Sequence, residues 1–258
     1  MAAGDVNVQL TNALPKWSYK YDGTDDFLYL ADLTKMRHSN RPFTVGCWCY
    51  LASGATQGDL VSLYETAGDK RAWGLQVTAN KPQFIASLDG TSAMATAAIG
   101  ATTVNYATGW FHIIGRWNGS NLQVFLNGIA DDSTPPSITT MYNNTETQIR
   151  VGKTVSTAYW KGNIGQIEYW DVGLTDAECL RAGTGKRVER GLKHSWSFEK
   201  GSLVDSIGGA TLTVSGAVAN ARDSALAAVI KAQRVTASDK YLITTVNGKA
   251  CTAVIEES

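Results

Sequence analysis

From Trp17 to Ser215 the chain is a succession of short runs in which apolar and polar residues alternate, punctuated by Gly, Pro, Asn and Asp. Successive side chains of a strand point to opposite faces, so this alternation marks strands with one buried face, and the punctuation marks turns. The runs predict strands at Trp17–Tyr21, Phe27–Leu30, Phe43–Leu51, Leu60–Glu65, Arg71–Thr78 and Pro82–Leu88. They continue at Gly109–Trp117, Asn121–Leu126, Gln148–Gly152, Gly162–Trp170, Leu192–Phe198 and Thr211–Ser215. So many strands exceed an immunoglobulin domain and suit an all-β, two-sheet antiparallel jelly-roll sandwich.

Two segments depart from this period. Thr175-Asp176-Ala177-Glu178 reads as a capping box, in which Thr and Glu each satisfy an amide that the first helical turn leaves free. It predicts a short helix ended by Gly183 or Gly185. In Arg222–Val235 the apolar residues Ala225, Leu226, Val229 and Ile230 share one helical face. Two β-rich runs around Asn247-Gly248 then predict a hairpin. The expected organisation is an N-terminal arm or extra strand over 1–16, the sandwich over 17–218, and a helix-plus-hairpin appendage over 219–258. An isolated hairpin is marginal in water, so the appendage is a candidate assembly element, with Tyr241, Ile243, Val246 and Val254 as its contact residues.

A chain of 258 residues buries an ample core without staples. Its four cysteines are therefore read for chemistry rather than rescue. Cys47 and Cys49 are two apart and Cys179 and Cys251 stand alone, so there is no CxxC pair and no zinc-ligand repeat. A disulfide between same-face strand neighbours ~7 Å apart is strained, and the pair reads as small buried side chains. Lys plus Arg and Asp plus Glu number 23 each, with no basic run, so no nucleic-acid partner is expected. No run approaches the ~20 apolar residues that span a bilayer. The N-terminus lacks a charged start followed by an apolar stretch, so no secretory signal and a reducing compartment are expected.

Read in order, YDGTDDFLYL, FTVGCWCYL, GWFHIIGRWNGSNLQVFLNG, IRVGK and WKGNIGQIEYWDVGLTDAEC resemble the laminin-G-like, concanavalin A-like jelly-roll superfamily, in the branch related to pentraxins. LKHSWSFEKGSLVDSIGGATLTVSG matches the tryptophan strand and Asp-Ser turn with which that pattern closes. The resemblance covers residues 17–218. It implies the jelly roll, and it raises two chemistries to weigh, polysaccharide hydrolysis and calcium binding at a rim.

Hydrolysis with retention needs two carboxyls about 5–5.5 Å apart. Glu168 and Asp171 are three apart, so on one strand they project to opposite faces. His38, His112 and His194 have no nucleophile motif around them, and His112 shares a strand face with Trp110 and Ile114. No catalytic residue is assigned. Hard-ligand candidates are Asp22, Asp25 and Asp26 in one turn and Asp131 and Asp132 in another, but Asp crowds turns for its own backbone bonding. No cofactor is expected, with calcium the alternative. For a glycan the expected aromatics are Tyr159, Trp160, Tyr142 and Tyr64, Tyr159-Trp160 foremost.

These features point to a non-enzymatic structural or adhesive protein built on a lectin-like jelly roll. A virion is the expected setting, as a capsid decoration or tail-associated subunit made in the host cytoplasm. Expected partners are further copies of itself, other virion proteins and a cell-surface glycan, with neither nucleic acid nor membrane. A free-standing lectin is the alternative, and a polysaccharide hydrolase the third reading.

Overall fold

The protein is described by a computed structural model that covers residues 17–132, 134–153, 159–222, 241–246 and 249–254. Its strands are β1 Trp17–Asp22, β2 Phe27–Leu30, β3 Phe43–Leu51, β4 Gly58–Glu65, β5 Lys70–Thr78, β6 Lys81–Ser87 and β7 Ala95–Ile99. After these come β8 Trp110–Trp117, β9 Leu122–Leu126, β10 Ile129–Ala130, β11 Ile149–Val151 and β12 Lys161–Trp170. A single α-helix among the described residues, α1 Asp176–Gly183, precedes β13 Leu192–Trp196, β14 Leu212–Ser215 and β15 Ala219–Arg222. Two antiparallel sheets result. One has the order β10-β9-β8-β3-β12-β1-β15, with β13 also on β12, and the other β14-β2-β11-β4-β5-β6-β7.

Alternation decides which side chains fill the space between the sheets. In β3, Phe43, Val45, Cys47, Cys49 and Leu51 point inward and are fully buried. Phe43 lies among Trp73, Phe84 and Tyr169 at 5.4, 5.9 and 5.7 Å between ring centroids, geometries that favour aromatic pairs beyond the area they bury. Cys47 and Cys49 are free and buried in this layer, as their spacing led one to expect.

A second, smaller core lies on the outer face of the eight-stranded sheet. Ile114, Phe125 and Trp170 of the sheet meet Leu174, Cys179, Ala182, Val188 and Leu192 of α1 and its flanks. The capping box forms as expected: Glu178 N donates to Thr175 Oγ1 and Thr175 N donates to Glu178 Oε2. Arg116 fastens the helix start to the sheet, donating to the Leu174 carbonyl and pairing with Asp176 at 2.8 Å.

Several expectations change. β7, β10 and β15 had no forecast, and β15 pairs with β1 from Trp17↔Arg222 to Lys20↔Ala219. The sandwich therefore runs to Arg222, four residues beyond the boundary expected at 218. The hairpin forms, with β16 Tyr241–Val246 paired to β17 Lys249–Val254 as a two-stranded sheet of its own. The expected arm over 1–16, the helix over 223–235 and the Asn247-Gly248 turn lie outside the described residues.

Candidate functional site

The four aromatics nominated for a glycan do not form one site. Trp160 is fully buried in the main core, which corrects its assignment as a stacking surface. Tyr159 is half-buried, and the Lys153 ammonium sits between its ring and that of Phe27, at 4.5 and 4.7 Å. Both lie beside Gly58, where a Cβ would meet the Trp160 Cα at 2.9 Å. Tyr64 stands six residues further along the same strand, ~20 Å away at strand rise. Tyr142 packs at that far end, its ring 3.2 Å from a Cβ placed on Gly90 and its carbonyl bonded to His38. Of the hairpin residues, Tyr241 faces Val254, Ile243 faces Thr252 and Val246 faces Lys249 in the ladder.

The acidic turn does converge: Asp22, Asp25 and Asp26 offer oxygens within 4.8 Å of one another, close enough to share a cation of calcium's size. They supply three of the six to eight ligands calcium takes. Both Asp26 oxygens already accept amides, from Asp22 at 3.1 Å and Ala217 at 2.7 Å, and Asp22 accepts that of Thr24. Asp131 and Asp132 are elsewhere, bonded to Thr102 and to the Val124 amide.

The histidines divide by role. His38 bonds the Tyr142 carbonyl and accepts the Asn40 amide, and burial lowers its pKa to about 4. His194 Nδ1 lies 2.5 Å from Asp205, and Ser195 is adjacent in sequence. The alternation of β13 sends the Ser195 side chain to the opposite face, away from the imidazole. Asp205 also accepts the amides of Ser195, Ile207 and Gly208, which marks it as the anchor of its turn.

His112 belongs to a different constellation. On the outer face of the eight-stranded sheet, β3 and β8 set Tyr50 opposite Trp110 and Trp48 opposite His112, with ring centroids 6.2 and 5.0 Å apart. On the other side of β3, Asn163 faces Tyr50 and Glu168 faces Gly46. A β-bulge places Gly165 and Gln166 of β12 against the single residue Trp48. The result is a face of two half-buried rings, Tyr50 and Trp110, next to two half-buried amides, Asn163 and Gln166. Beside it sit a buried indole, imidazole and carboxyl. Glu168 Oε1 and His112 Nδ1 are buried without hydrogen-bond partners. Burial raises Glu168 to about 7 against the pull of Gln166 and Arg187, and it lowers His112 to about 3.

Asp171 lies just past β12 and pairs with Lys193 at 3.3 Å, so it does not join Glu168 as a carboxyl pair. Trp110 and His112 share one strand face as expected, and the packing assigned to that face holds for the buried His112 and for Ile114 in the second core, whereas the pairing of half-buried Trp110 with Tyr50 was not foreseen. The signal available was the matching alternation of Trp48 and Tyr50 in β3. The bulge at Gly165, which turns Gln166 toward the same face, had no signal beyond a glycine inside a strand.

Two antiparallel sheets with an outer face of rings and amides define a lectin-like jelly roll. The chain belongs to the concanavalin A-like lectin/glucanases superfamily, whose laminin-G model matches residues 22–179. A candidate carbohydrate-binding protein from Bacteroides ovatus is similar in fold at TM-score 0.59 and 11% identity, over 81% of this chain and 60% of that one. The native heptameric SAP-like pentraxin of Limulus polyphemus matches at TM-score 0.50 and 14% identity, over 81% of this chain and 96% of that one. The receptor-binding domain of botulinum neurotoxin mosaic serotype C/D matches at 0.50 and 11%, over 70% of this chain and 45% of its own. At such identities the likeness is one of fold. No curated protein matches the sequence.

Proposed function

We propose that this protein is a non-enzymatic, glycan-binding adhesive subunit whose binding surface is the outer face of the eight-stranded sheet. The observation that carries the reading is the pairing of Tyr50 with Trp110 beside Asn163 and Gln166. Aromatic plates offer the apolar faces of sugar rings a surface, and side-chain amides supply donors and acceptors to the hydroxyls. The Bacteroides ovatus protein of similar fold, described as a candidate for carbohydrate binding, supports the same class of ligand. Catalysis has no support in Glu168, which lacks a second carboxyl in register on its own strand.

A glycan array probed with the full chain tests the reading, with Tyr50→Ala and Trp110→Ala as the variants. Each is expected to weaken the strongest signals by about tenfold or more, equivalent to ~1.4 kcal/mol, while keeping the melting temperature within a few degrees. Binding should persist in EDTA, since the acidic turn lies on the β1–β2 connection and not on this face. An array without saturable binding, or variants that bind as the parent does, would end the reading.

The setting is a narrower part of the same proposal: an adhesive or decorating subunit of a virus particle, self-assembled through the hairpin β16–β17. The Limulus pentraxin, similar in fold, is heptameric, which supports self-assembly as a habit of such sandwiches. Mass spectrometry of gradient-purified particles checks the setting, and particles that lack the chain would exclude it.

A further inference from the structure

Four chain segments line an open cleft at one end of the sandwich: residues 41–42 before β3, Asn118 after β8, residues 171–173 after β12 and Arg190 before β13. The strand ends bring them together, since Phe43 pairs with Trp117 and Thr44 with Trp170. Glycines let the segments close up. A Cβ on Gly173 would lie 3.3 Å from Asn118 Cα and 3.5 Å from Pro42 Cβ, and one on Gly191 would lie 3.1 Å from Asp171 Oδ1. Thr44 Oγ1 pins the segment after β12, donating to the Val172 carbonyl at 2.9 Å and accepting the Leu174 amide at 3.0 Å. The cleft measures about 660 Å³, mouth included, within the ~300–1,000 Å³ of small-ligand sites.

Its polar side chains are exposed, and most are held in place with bonding capacity to spare. Arg190 Nε and Nη2 donate to the two Glu178 oxygens at 2.6 Å each, and Nη2 also donates to the Gly173 carbonyl at 2.9 Å. That leaves Nη1 without a partner among the described residues. Asn118 Oδ1 accepts the amides of Ser120 and Asn121 at 2.9 and 2.8 Å, which leaves the Nδ2 hydrogens to donate. Asp171 Oδ2 pairs with Lys193 at 3.3 Å, which leaves Oδ1 to accept. The Arg41 guanidinium has neither an ion pair nor a hydrogen bond among the described residues. With Arg190 paired to Glu178 and Asp171 to Lys193, the charge left uncompensated in the cleft is the positive charge of Arg41.

We propose that this cleft binds a sugar acid, a monosaccharide unit with one carboxylate, as a second site apart from the Tyr50–Trp110 face. The carboxylate takes the Arg41 guanidinium, whose planar fork matches two carboxylate oxygens, and Asn118 Nδ2 and Arg190 Nη1 supply further donors. A ring hydroxyl donates to Asp171 Oδ1, and Pro42 and Val172 offer apolar surface to the C–H groups of the ring. The ligand has to combine the two polar functions. A bare anion has no proton to give Asp171 and meets its like charge, whereas a neutral sugar forgoes the charge of Arg41. The cleft opens where β3 begins, at Phe43, seven residues or ~23 Å at strand rise from Tyr50. A single sugar unit therefore does not bridge the two sites.

The test titrates the full chain, by ligand-observed NMR, with D-glucuronate, D-galacturonate and N-acetylneuraminate, and with D-glucose, D-galactose and acetate as controls. At least one sugar acid is expected to bind about tenfold or more tightly than every control. Its affinity should fall as chloride rises from about 50 to about 500 mM, because salt screens an exposed guanidinium. Arg41→Gln should bind it about tenfold more weakly at an unchanged melting temperature, since the Arg41 side chain bonds nothing among the described residues. Tyr50→Ala should bind it as the parent does. Failure of all three acids, acetate or a neutral sugar bound as tightly as the acids, parental binding by Arg41→Gln, or loss of acid binding in Tyr50→Ala each overturns the site. Neutral-glycan binding that Tyr50→Ala abolishes would still leave the proposed function standing. The salt dependence is read on the unmodified chain, so affinity that does not change with chloride overturns the site without recourse to any variant.

Discussion

At the scale of single residues, the outer face holds groups whose protonation is set by burial rather than by ion pairs. Glu168 is raised from 4.5 to about 7. The folded state thus holds its proton more tightly than the unfolded state, so stability falls as pH rises from about 4.5 to about 7 and is constant above. The shift corresponds to about 3 kcal/mol. His112 and His38 act with the opposite sign. Lowered from 6.5 to about 3 and about 4, they remain neutral while the unfolded chain takes up protons, so stability falls as pH falls below 6.5. The two trends overlap and partly cancel, which makes the difference between proteins the informative quantity. Urea denaturation of the parent and of Glu168→Gln from pH 4 to pH 8 should show the parent losing about 3 kcal/mol relative to the variant between pH 4.5 and 7. Parallel curves would mean that Glu168 is not held protonated by burial. The sequence made Glu168 visible as a carboxyl but said nothing of its environment. Its burial depends on Gly46 and Ser195, 122 and 27 residues away in the chain, and no local pattern carries that information.

At the scale of elements, α1 is where local code and tertiary contact meet. Its start is written in Thr175 and Glu178, and the reciprocal bonds form as the capping-box pattern requires. Thr175→Ala should cost about 1 kcal/mol, a downward shift of a few degrees in melting temperature. Its end is set by a neighbour: a Cβ on Gly183 would meet the Gly128 amide nitrogen at 2.2 Å, so the helix lies directly on the β9–β10 turn. Gly183→Ala is expected to push the helix off that turn and cost about 1–3 kcal/mol, although alanine favours an isolated helix. A variant as stable as the parent in thermal melts would show that this contact yields at no cost. The same contrast explains which strands could be read. β3 and β8 alternate strongly because one face enters the core, whereas β7, ATAAI, is four small residues and an exposed Ile99 without alternation. β10 is two residues long, and β15, ANAR, lies at a sheet edge where a polar run suffices. Their pairing partners, not their own composition, make them strands.

At the scale of the whole molecule, the two-sheet architecture was legible because so many alternating runs, each needing a covered face, admit few other arrangements. The proposed binding face was not legible, because a ring on the outer side of a strand alternates just as a packed one does. Tyr50 and Trp110 differ from the buried Trp160 only in what lies over them. The hairpin poses the remaining question at this scale. β16 and β17 pair only with each other among the described strands, and a two-stranded sheet of six residues a side is marginal unless another surface supports it. The sandwich edge at β7 is an end of its sheet among the described strands and a place for strand addition. Truncation after Arg222 keeps β15 on β1 and removes the hairpin, so it separates folding from assembly. The truncated protein should melt within a few degrees of the parent and sediment as a monomer, and the full chain at the same concentration is expected to sediment as a closed oligomer. Truncation after Gly216 instead also strips β15 from the sheet and should lower the melting temperature. Should the chain ended at Arg222 sediment at the parent's oligomeric mass, the hairpin is not the assembly element and a sandwich edge must be.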